Sequence, residues 1–122
     1  MILVVDDNED SLKIISRILQ TEGFEVSVER NGKDGLAAAL EQLPELVIMD
    51  IMMPEMNGIE ALEKLRALPQ TAHIPVILLT AKSLDEDVLT GYRVGADYYM
   101  TKPFTAKQLV YGVNLVLGKT SE

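Results

Sequence analysis

Three short apolar runs and one weaker strand pattern in the chain are each followed directly by polar residues whose types suit phosphoryl chemistry. The polar residues are Asp6 and Asp7, Asp50, Thr80 and Lys102. They follow the apolar runs 2–5, 46–49 and 76–79 and the weaker strand pattern at 97–101. A carboxylate can act as a nucleophile and form an aspartyl phosphate. A cation, a hydroxyl and an ammonium group can stabilise the charge of a phosphoryl group in transit. Asp50 is the candidate nucleophile, since it ends the run LVIM, where an ionised carboxylate is costly to bury without partners.

These residues must be positioned by strands at the apolar runs and by helices between them. Continuous apolar runs predict buried strands at 2–5, 46–49 and 76–79, and weaker patterns predict strands at 25–29 and 97–101. Apolar residues at helical spacing then predict five helices, with faces at Leu12, Ile15 and Leu19; Leu36, Leu40 and Leu43; Ile59, Leu62 and Leu65; Leu84, Val88 and Tyr92; and Leu109, Val113 and Val116.

The alternation of five strands with five helices predicts an α/β fold with a doubly wound parallel sheet. Strands that lack apolar–polar alternation must be covered on both faces, as helices cover a parallel sheet. Right-handed crossovers leave few topologies, and the flavodoxin-like strand order 2-1-3-4-5 is the common one for five strands. We expect one domain over 1–117, with 118–122 as a C-terminal tail or the start of a linker.

All the polar residues are expected at the carboxyl ends of the strands, on one edge of the sheet, where such folds bind ligands. Two carboxylates about 4 Å apart repel by roughly 4 kcal/mol at an effective dielectric constant of about 20. A shared proton, a bound cation or Lys102 must therefore offset the repulsion. A few carboxylates with room for water suit Mg²⁺ better than Ca²⁺, and zinc would call for His or Cys ligands. Each residue alone has an ordinary structural explanation, but their convergence indicates a functional site.

Composition excludes several classes of function. The chain has 122 residues and a net charge of -8. It contains no cysteine, and this excludes thiolate catalysis and disulfides and fits a reducing compartment. It has no basic block, so direct binding of nucleic acid is not expected. The apolar runs are too short to span a membrane. We expect a soluble, cytoplasmic protein.

The motifs at the four strand ends resemble the receiver domain of two-component response regulators. The matching segments are VVDDN at 4–8, DIMMPEMNG at 50–58, LLTA at 78–81 and GADYYMTKPF at 95–104. The resemblance runs from end to end and is specific, because it fixes residue types at all four strand ends in order. It implies a domain that takes a phosphoryl group from a phosphohistidine on a sensor histidine kinase or a histidine phosphotransfer protein. Such a domain controls an effector domain or a target protein.

The resemblance also implies a metal site and a phosphoacceptor. Asp50 would receive the phosphoryl group. Asp7, Asp50 and the backbone carbonyl of Met52 would hold Mg²⁺, with Mn²⁺ as a substitute, and Asp6 would act through a metal-bound water. The domain would catalyse its own phosphorylation and dephosphorylation without being an enzyme that turns over an external substrate.

Around the phosphoacceptor the resemblance implies a small pocket. Lys102 and the Thr80 hydroxyl would contact phosphoryl oxygens, and the small Ala81 would keep the pocket open. Lys82, two residues after Thr80, is expected to reach over the pocket and hinder attacking water. The peptide bond between Lys102 and Pro103 is expected to be cis.

Tyr99 resembles the switch aromatic of the family, which turns inward when Thr80 moves. The alternative is a strand tyrosine packed against the fourth predicted helix. The switched surface would comprise the fourth predicted helix, the fifth strand and the fifth helix. A homodimer that depends on phosphorylation is an option that the sequence leaves open.

Three other classes of protein are weighed against this interpretation. Phosphatases of the haloacid dehalogenase type place a second Asp two residues after their nucleophile and carry more chain for a cap, whereas this chain has Met52 there. A receiver-like interaction module that works without phosphorylation would not need the complete acidic cluster. A flavin-binding flavodoxin relative would need a Ser/Thr/Gly-rich phosphate loop where DDNED stands.

Overall fold

The computed structural model describes residues 1–81 and 94–118. Its elements are β1 (Ile2–Val5), α1 (Glu9–Thr21), β2 (Val26–Glu29), α2 (Gly32–Gln42), β3 (Leu46–Asp50), α3 (Gly58–Ala67), β4 (Val76–Thr80), β5 (Tyr98–Thr101) and α4 (Ala106–Val116). The helix predicted through Leu84, Val88 and Tyr92 lies outside the described residues, as do Lys82 and residues 119–122. Helix α4 is therefore the last of the five predicted helices.

The five strands form one parallel sheet in the order β2-β1-β3-β4-β5, which confirms the predicted flavodoxin-like topology. Every residue of β1, β3 and β4 is buried, because helices cover both faces of the central strands. Strand β1 lies between β2 and β3, so Asp6 and Asp50 follow neighbouring strands. Among the described residues, no helix combines the length and the apolar character that crossing a bilayer requires.

Alternate residues of the strands contribute to two separate cores, one on each face of the sheet. The core on the side of α2 and α3 contains Leu3, Val5, Val47, Met49, Val76, Leu78, Leu62 and Leu65. The core on the side of α1 and α4 contains Ile2, Val4, Leu46, Ile48, Ile77, Leu79, Leu12, Ile15, Leu19, Leu109 and Val113. The two cores hold the strands in one register, which fixes the positions of the polar residues at the carboxyl ends.

The predicted apolar face of the second helix is confirmed at Leu36, which is partly buried against the core, and wrong at Leu40 and Leu43. Leu40 and Leu43 are 38% and 54% exposed, and the residues that α2 buries are Gly32, Gly35, Ala38 and Ala39. A Cβ atom on Gly35 would lie 2.8 Å from the Val5 side chain, so the helix packs closely on β1 through its small residues. Leu43 lies beyond the helix as its left-handed C-cap, with φ 47°. Close packing of small residues therefore decides which face is buried, rather than the positions of the leucines.

Side-chain caps fix the loops that carry the site. The Asn8 side chain accepts a hydrogen bond from the backbone N–H of Ser11 at the start of α1. Asn57 forms a capping box with Glu60 at the start of α3, and Thr105 begins a second one at α4. Because such caps satisfy N–H groups that have no partner within the helix, they hold the chain as it leaves β1, β3 and β5.

At the opposite edge of the sheet, Arg66 joins the segments that lead into β4 and β5. Its guanidinium donates hydrogen bonds to the carbonyl oxygens of Ile74 (2.7 Å) and Gly95 (2.8 and 3.2 Å) and to the Asp97 carboxylate (3.0 Å). The same Asp97 oxygen accepts a hydrogen bond from the backbone N–H of Val76 at 2.9 Å. The start of both strands is thus tied to the end of α3.

Candidate functional site

The three predicted carboxylates converge at the carboxyl edge of the sheet. Each of Asp6, Asp7 and Asp50 offers an oxygen, and these oxygens all lie within 4.8 Å of one another. Asp6 is fully buried and Asp50 is 6% exposed, whereas Asp7 is exposed to solvent. The cluster therefore has two sheltered carboxylates and one that faces water.

Lys102 bridges the two sheltered carboxylates. Its Nζ atom lies 2.8 Å from Oδ2 of Asp6 and 3.1 Å from Oδ2 of Asp50. The Lys102 backbone N–H donates to the carbonyl oxygen of Thr80 at 2.6 Å, which holds the residue at the end of β5 next to β4. The ammonium group of Lys102, one of the three means that the sequence left open, is thus placed to offset the repulsion between Asp6 and Asp50.

Backbone N–H groups hold the other oxygens of these carboxylates. The Asn8 N–H donates to Oδ1 of Asp6 at 2.9 Å, and the Met52 N–H donates to Oδ1 of Asp50 at 3.1 Å. Gly58 closes the loop after Asp50, where a Cβ atom would clash with the Asp50 carbonyl oxygen. Both carboxylates are therefore fixed in orientation, each between a backbone donor and the Lys102 ammonium.

The pKa values of Asp50 and Lys102 reflect this arrangement. Burial, followed by the neighbouring charge of Asp6, raises the pKa of Asp50 above its usual value, although Lys102 and the Met52 N–H oppose the shift. Burial also disfavours the charged form of Lys102, but hydrogen bonds and attraction from Asp6 and Asp50 outweigh it and raise the pKa of the ammonium. One cation thus faces two carboxylates, and a further positive charge would be favourable at the cluster.

The chemistry of the donor set fits a small, hard divalent cation. Three carboxylates within 4.8 Å of one another supply oxygen ligands, and the exposure of Asp7 leaves the remaining coordination positions open to water. Mg²⁺ is bound in this way, through few carboxylates and several retained waters. The donor set contains no histidine or cysteine, the residues that zinc sites favour.

The remaining predicted residues lie around this cluster. Thr80 is 2% exposed at the end of β4, and its register partner on β5 is Thr101. Tyr99 is half-buried and packs against the core on the side of α2 and α3. The Met52 side chain, 63% exposed, points away from the core.

Ala81 and Pro103 line a cavity of about 470 Å³ beside Lys102, together with Ser11, Ile14, Ile15 and Phe104. The cavity leaves room next to the ammonium for an incoming molecule. The peptide bond between Lys102 and Pro103 is cis, as predicted. Lys82, the predicted cover of the pocket, lies outside the described residues.

One residue of the site escaped the sequence interpretation. The hydroxyl of Ser11 lies 3.4 Å from Nζ of Lys102, as a third acceptor for the ammonium group. The sequence does indicate the position of this residue, since Ser11 stands four residues before the buried Ile15 and so lies beside the buried face of α1.

Comparison with known proteins places the chain in a family. A model of the response regulator receiver domain family matches residues 2–114. The DNA-binding response regulator MtrA of Mycobacterium tuberculosis is 40% identical over 121 residues, which are 99% of this chain and 52% of that protein. The probable transcriptional regulatory protein TcrX of the same organism is 38% identical over 119 residues, 98% of this chain and 50% of that protein. The chain thus spans about half the length of the curated relatives it matches.

Solved structures agree with these relatives. The chemotaxis protein CheY4 of Vibrio cholerae superimposes with a TM-score of 0.90 at 31% identity, over 94% of this chain and 96% of that one. The receiver domain of the sensor histidine kinase PA1611 of Pseudomonas aeruginosa gives a TM-score of 0.89 at 28% identity, over 97% of each chain, and holds a magnesium ion in its active site cleft. Family match, relatives and fold agree, and the chain belongs to the receiver domains of the response regulators of two-component signalling.

Proposed function

We propose that Asp50 is the phosphoacceptor of this receiver domain and that its donor is a phosphohistidine on a sensor histidine kinase or a histidine phosphotransfer protein. The observation that carries the proposal is the bridge from Lys102 to Asp50 and Asp6. An ammonium group held beside a carboxylate of a cation-binding cluster is placed to neutralise an incoming phosphoryl group.

In the proposed reaction one oxygen of the Asp50 carboxylate forms a bond to phosphorus. The bond between phosphorus and the donor's imidazole nitrogen breaks, and its electron pair stays on that nitrogen, which takes a proton from water. The Met52 N–H and Lys102 orient the attacking carboxylate. Lys102 then holds a phosphoryl oxygen, and the hydroxyl of Thr80 holds another.

We propose Mg²⁺ as the resident cation, with Mn²⁺ as a substitute. Asp7, Asp50 and the backbone carbonyl of Met52 would hold it, and Asp6 would act through a metal-bound water. When bound, the cation supplies charge neutralisation to the phosphoryl oxygens. The magnesium ion in the cleft of the PA1611 receiver domain supports this assignment.

The proposed output is a change at the surface formed by the fourth predicted helix, which lies outside the described residues, together with β5 and α4. Thr80 would move towards the phosphoryl group, and Tyr99 would turn inward after it. A cavity of about 560 Å³ on this surface, lined by Tyr98, Tyr99 and Tyr111 among others, offers a site at which an effector could sense the change. Tyrosine signals of the protein in NMR spectra, with and without phosphorylation, test this step. An unchanged Tyr99 signal in the phosphorylated protein would contradict it.

The domain's context is proposed from its relatives. Those relatives are about twice as long and include a DNA-binding response regulator, so we propose that an attached effector domain or a separate target protein gives the output. Residues 1–117 would form the receiver domain and 118–122 a tail or the start of a linker. We propose the cytoplasm as its location. A homodimer formed after phosphorylation is compatible with the same surface.

The domain is also proposed to catalyse its own dephosphorylation, with water attacking the phosphoryl group. Lys82 is proposed to cover the pocket and slow this step. The variant Lys82→Ala should therefore lose its phosphoryl group faster than the wild type, and an unchanged lifetime would refute the role of Lys82.

The experiment that tests the function is the intact mass of the protein after incubation with acetyl phosphate. We expect the wild type to gain the mass of one phosphoryl group in the presence of Mg²⁺, and to gain nothing after chelation. Asp50→Asn, which keeps the size of the side chain, should gain nothing under either condition. An equal gain in Asp50→Asn would overturn the assignment of the acceptor. Steady hydrolysis of a generic phosphomonoester by the wild type would indicate a phosphatase instead.

A further inference from the structure

We infer that Ser11 is a positioning residue for Lys102. Its hydroxyl accepts the third N–H of the Lys102 ammonium group until a phosphoryl oxygen takes the place of the hydroxyl. The inference rests on the proposed function of Asp50. Ser11 acts through Lys102 and has no part in bond formation.

The first argument is the number of acceptors around the ammonium. A lysine ammonium has three N–H donors. Within residues 1–81 and 94–118, its three acceptors are Oδ2 of Asp6 at 2.8 Å, Oδ2 of Asp50 at 3.1 Å and Oγ of Ser11 at 3.4 Å. Each donor therefore has one acceptor, and the Ser11 hydroxyl is both the only neutral acceptor of the three and the most distant.

The second argument is a closed ring of hydrogen bonds that fixes Ser11. The Asn8 N–H donates to Oδ1 of Asp6, and the Ser11 N–H donates to Oδ1 of Asn8. Lys102 donates both to Ser11 and to the second oxygen of Asp6, which closes the ring. Because both Asn8 and the first turn of α1 take part, the Ser11 hydroxyl is held at a set distance from the ammonium. A mobile surface serine would not be held in this way.

The third argument is that Ser11 lines a cavity beside Lys102. Ser11 lines the cavity of about 470 Å³ that Lys102, Ala81 and Pro103 also line. A phosphoryl oxygen that enters beside Lys102 meets the donor that is directed towards Ser11 at the rim of this cavity. Charged acceptors bind an ammonium more strongly than a hydroxyl does, so the phosphoryl oxygen displaces Ser11 rather than Asp6.

The test is the rate of phosphorylation by acetyl phosphate at saturating Mg²⁺ for Ser11→Ala and Ser11→Thr. We expect the maximal rate of Ser11→Ala to fall about three- to tenfold with little change in the KM for acetyl phosphate, since an ammonium group that Ser11 no longer holds in place must be oriented during the transfer itself. Ser11→Thr keeps the hydroxyl and should recover most of the rate.

Ser16→Ala is the matched control, because Ser16 lies on the same helix and its buried hydroxyl has no hydrogen-bond partner within the described part of the chain. It should phosphorylate at the wild-type rate. The melting temperature and the Mg²⁺ affinity of Ser11→Ala should also match those of the wild type, which separates positioning from a structural role.

Equal maximal rates for Ser11→Ala and the wild type would overturn the inference, as would a Ser11→Thr variant as slow as Ser11→Ala. A wild type that takes up no phosphoryl group at all would instead overturn the proposed function. The ¹H–¹⁵N signal of the Lys102 ammonium gives an independent readout, since its protons should exchange faster with water in Ser11→Ala. An unchanged exchange rate would contradict the hydrogen bond itself.

Discussion

The guanidinium of Arg66 lies 3.0 Å from the carboxylate of Asp97, at the edge of the sheet opposite the acidic cluster. Burial lowers the pKa of Arg66, and the charge of Asp97 opposes that shift. The pair also satisfies backbone groups at Ile74, Gly95 and Val76. Its role is therefore to hold the starts of β4 and β5, whose far ends carry Thr80 and Lys102.

Arg66→Met should destabilise the protein by about 2–3 kcal/mol, because it leaves two carbonyl oxygens and a carboxylate without their charged donor. Urea denaturation measures the loss. Lys64→Met, a change at an exposed cation on the same helix, should stay within about 0.5 kcal/mol of the wild type. If the two variants were equally stable, the Arg66 contacts would contribute nothing to the free energy of unfolding.

Lys102→Met should destabilise the metal-free protein by about 3 kcal/mol, since it leaves the buried carboxylates of Asp6 and Asp50 without their cation. Saturating Mg²⁺ should recover part of the loss, because the metal then supplies the missing positive charge. Urea denaturation with Mg²⁺ and with a chelator measures both effects. Lys33→Met, at an exposed lysine on α2, provides the control and should respond to Mg²⁺ as the wild type does.

Asp7→Asn should weaken Mg²⁺ binding by at least tenfold, because it removes the charged ligand that faces solvent. Mg²⁺ at 100 times its dissociation constant stabilises a one-site protein by about 2.7 kcal/mol, and a tenfold loss of affinity reduces this to about 1.4 kcal/mol. The melting temperature as a function of Mg²⁺ concentration measures the difference. Asp34→Asn changes an exposed carboxylate on α2 and should leave the curve unchanged. A curve for Asp7→Asn that overlays the wild type would exclude Asp7 as a ligand.

The stability of the metal-free protein should depend on the ionisation of Asp50. Its pKa is raised by burial and by Asp6, so the folded state binds this proton more tightly than the unfolded state does. Ionised Asp50 therefore costs stability at neutral pH, and the cost disappears as the pH falls through the folded pKa towards the unfolded value of about 3.9. Asp50→Asn should be more stable than the wild type at pH 7 in a chelator, and the difference should shrink by about pH 4. A difference that is constant across this range would contradict the raised pKa.

Much of this arrangement follows from the sequence because burial on both faces leaves a clear pattern. The predicted strand at 46–49 differs from β3 by only one residue, and that residue is Asp50 itself. Parallel strands bring their carboxyl ends to one edge, so the meeting of Asp6, Asp7 and Asp50 could be predicted without coordinates.

The contacts that escaped prediction depend on how each helix is rotated and how closely it approaches the sheet. Periodicity shows that α1 has a buried face, but not that Ser11 at the rim of this face comes within 3.4 Å of Lys102. The contacts of Arg66 are not predictable for a similar reason, since two of its three acceptor residues bind it through backbone carbonyls, which leave no trace in residue types. The close approach of α2 through Gly35 likewise depends on space and not on hydrophobicity.

The contacts of Lys102 with Asp6 and Asp50 join parts of the chain that are far apart in sequence and are therefore synthesised at different times. Lys102 is 96 positions from Asp6 and 52 positions from Asp50. The chain leaves the ribosome from its N-terminus, and contacts of such long range form only when the last strand is available. A nascent chain that still lacks β5 carries the Asp6 and Asp50 carboxylates without the ammonium group. The Asp6 and Asp50 carboxylates then lack the cation that offsets their repulsion, so the cluster takes its final form only after β5 has been synthesised.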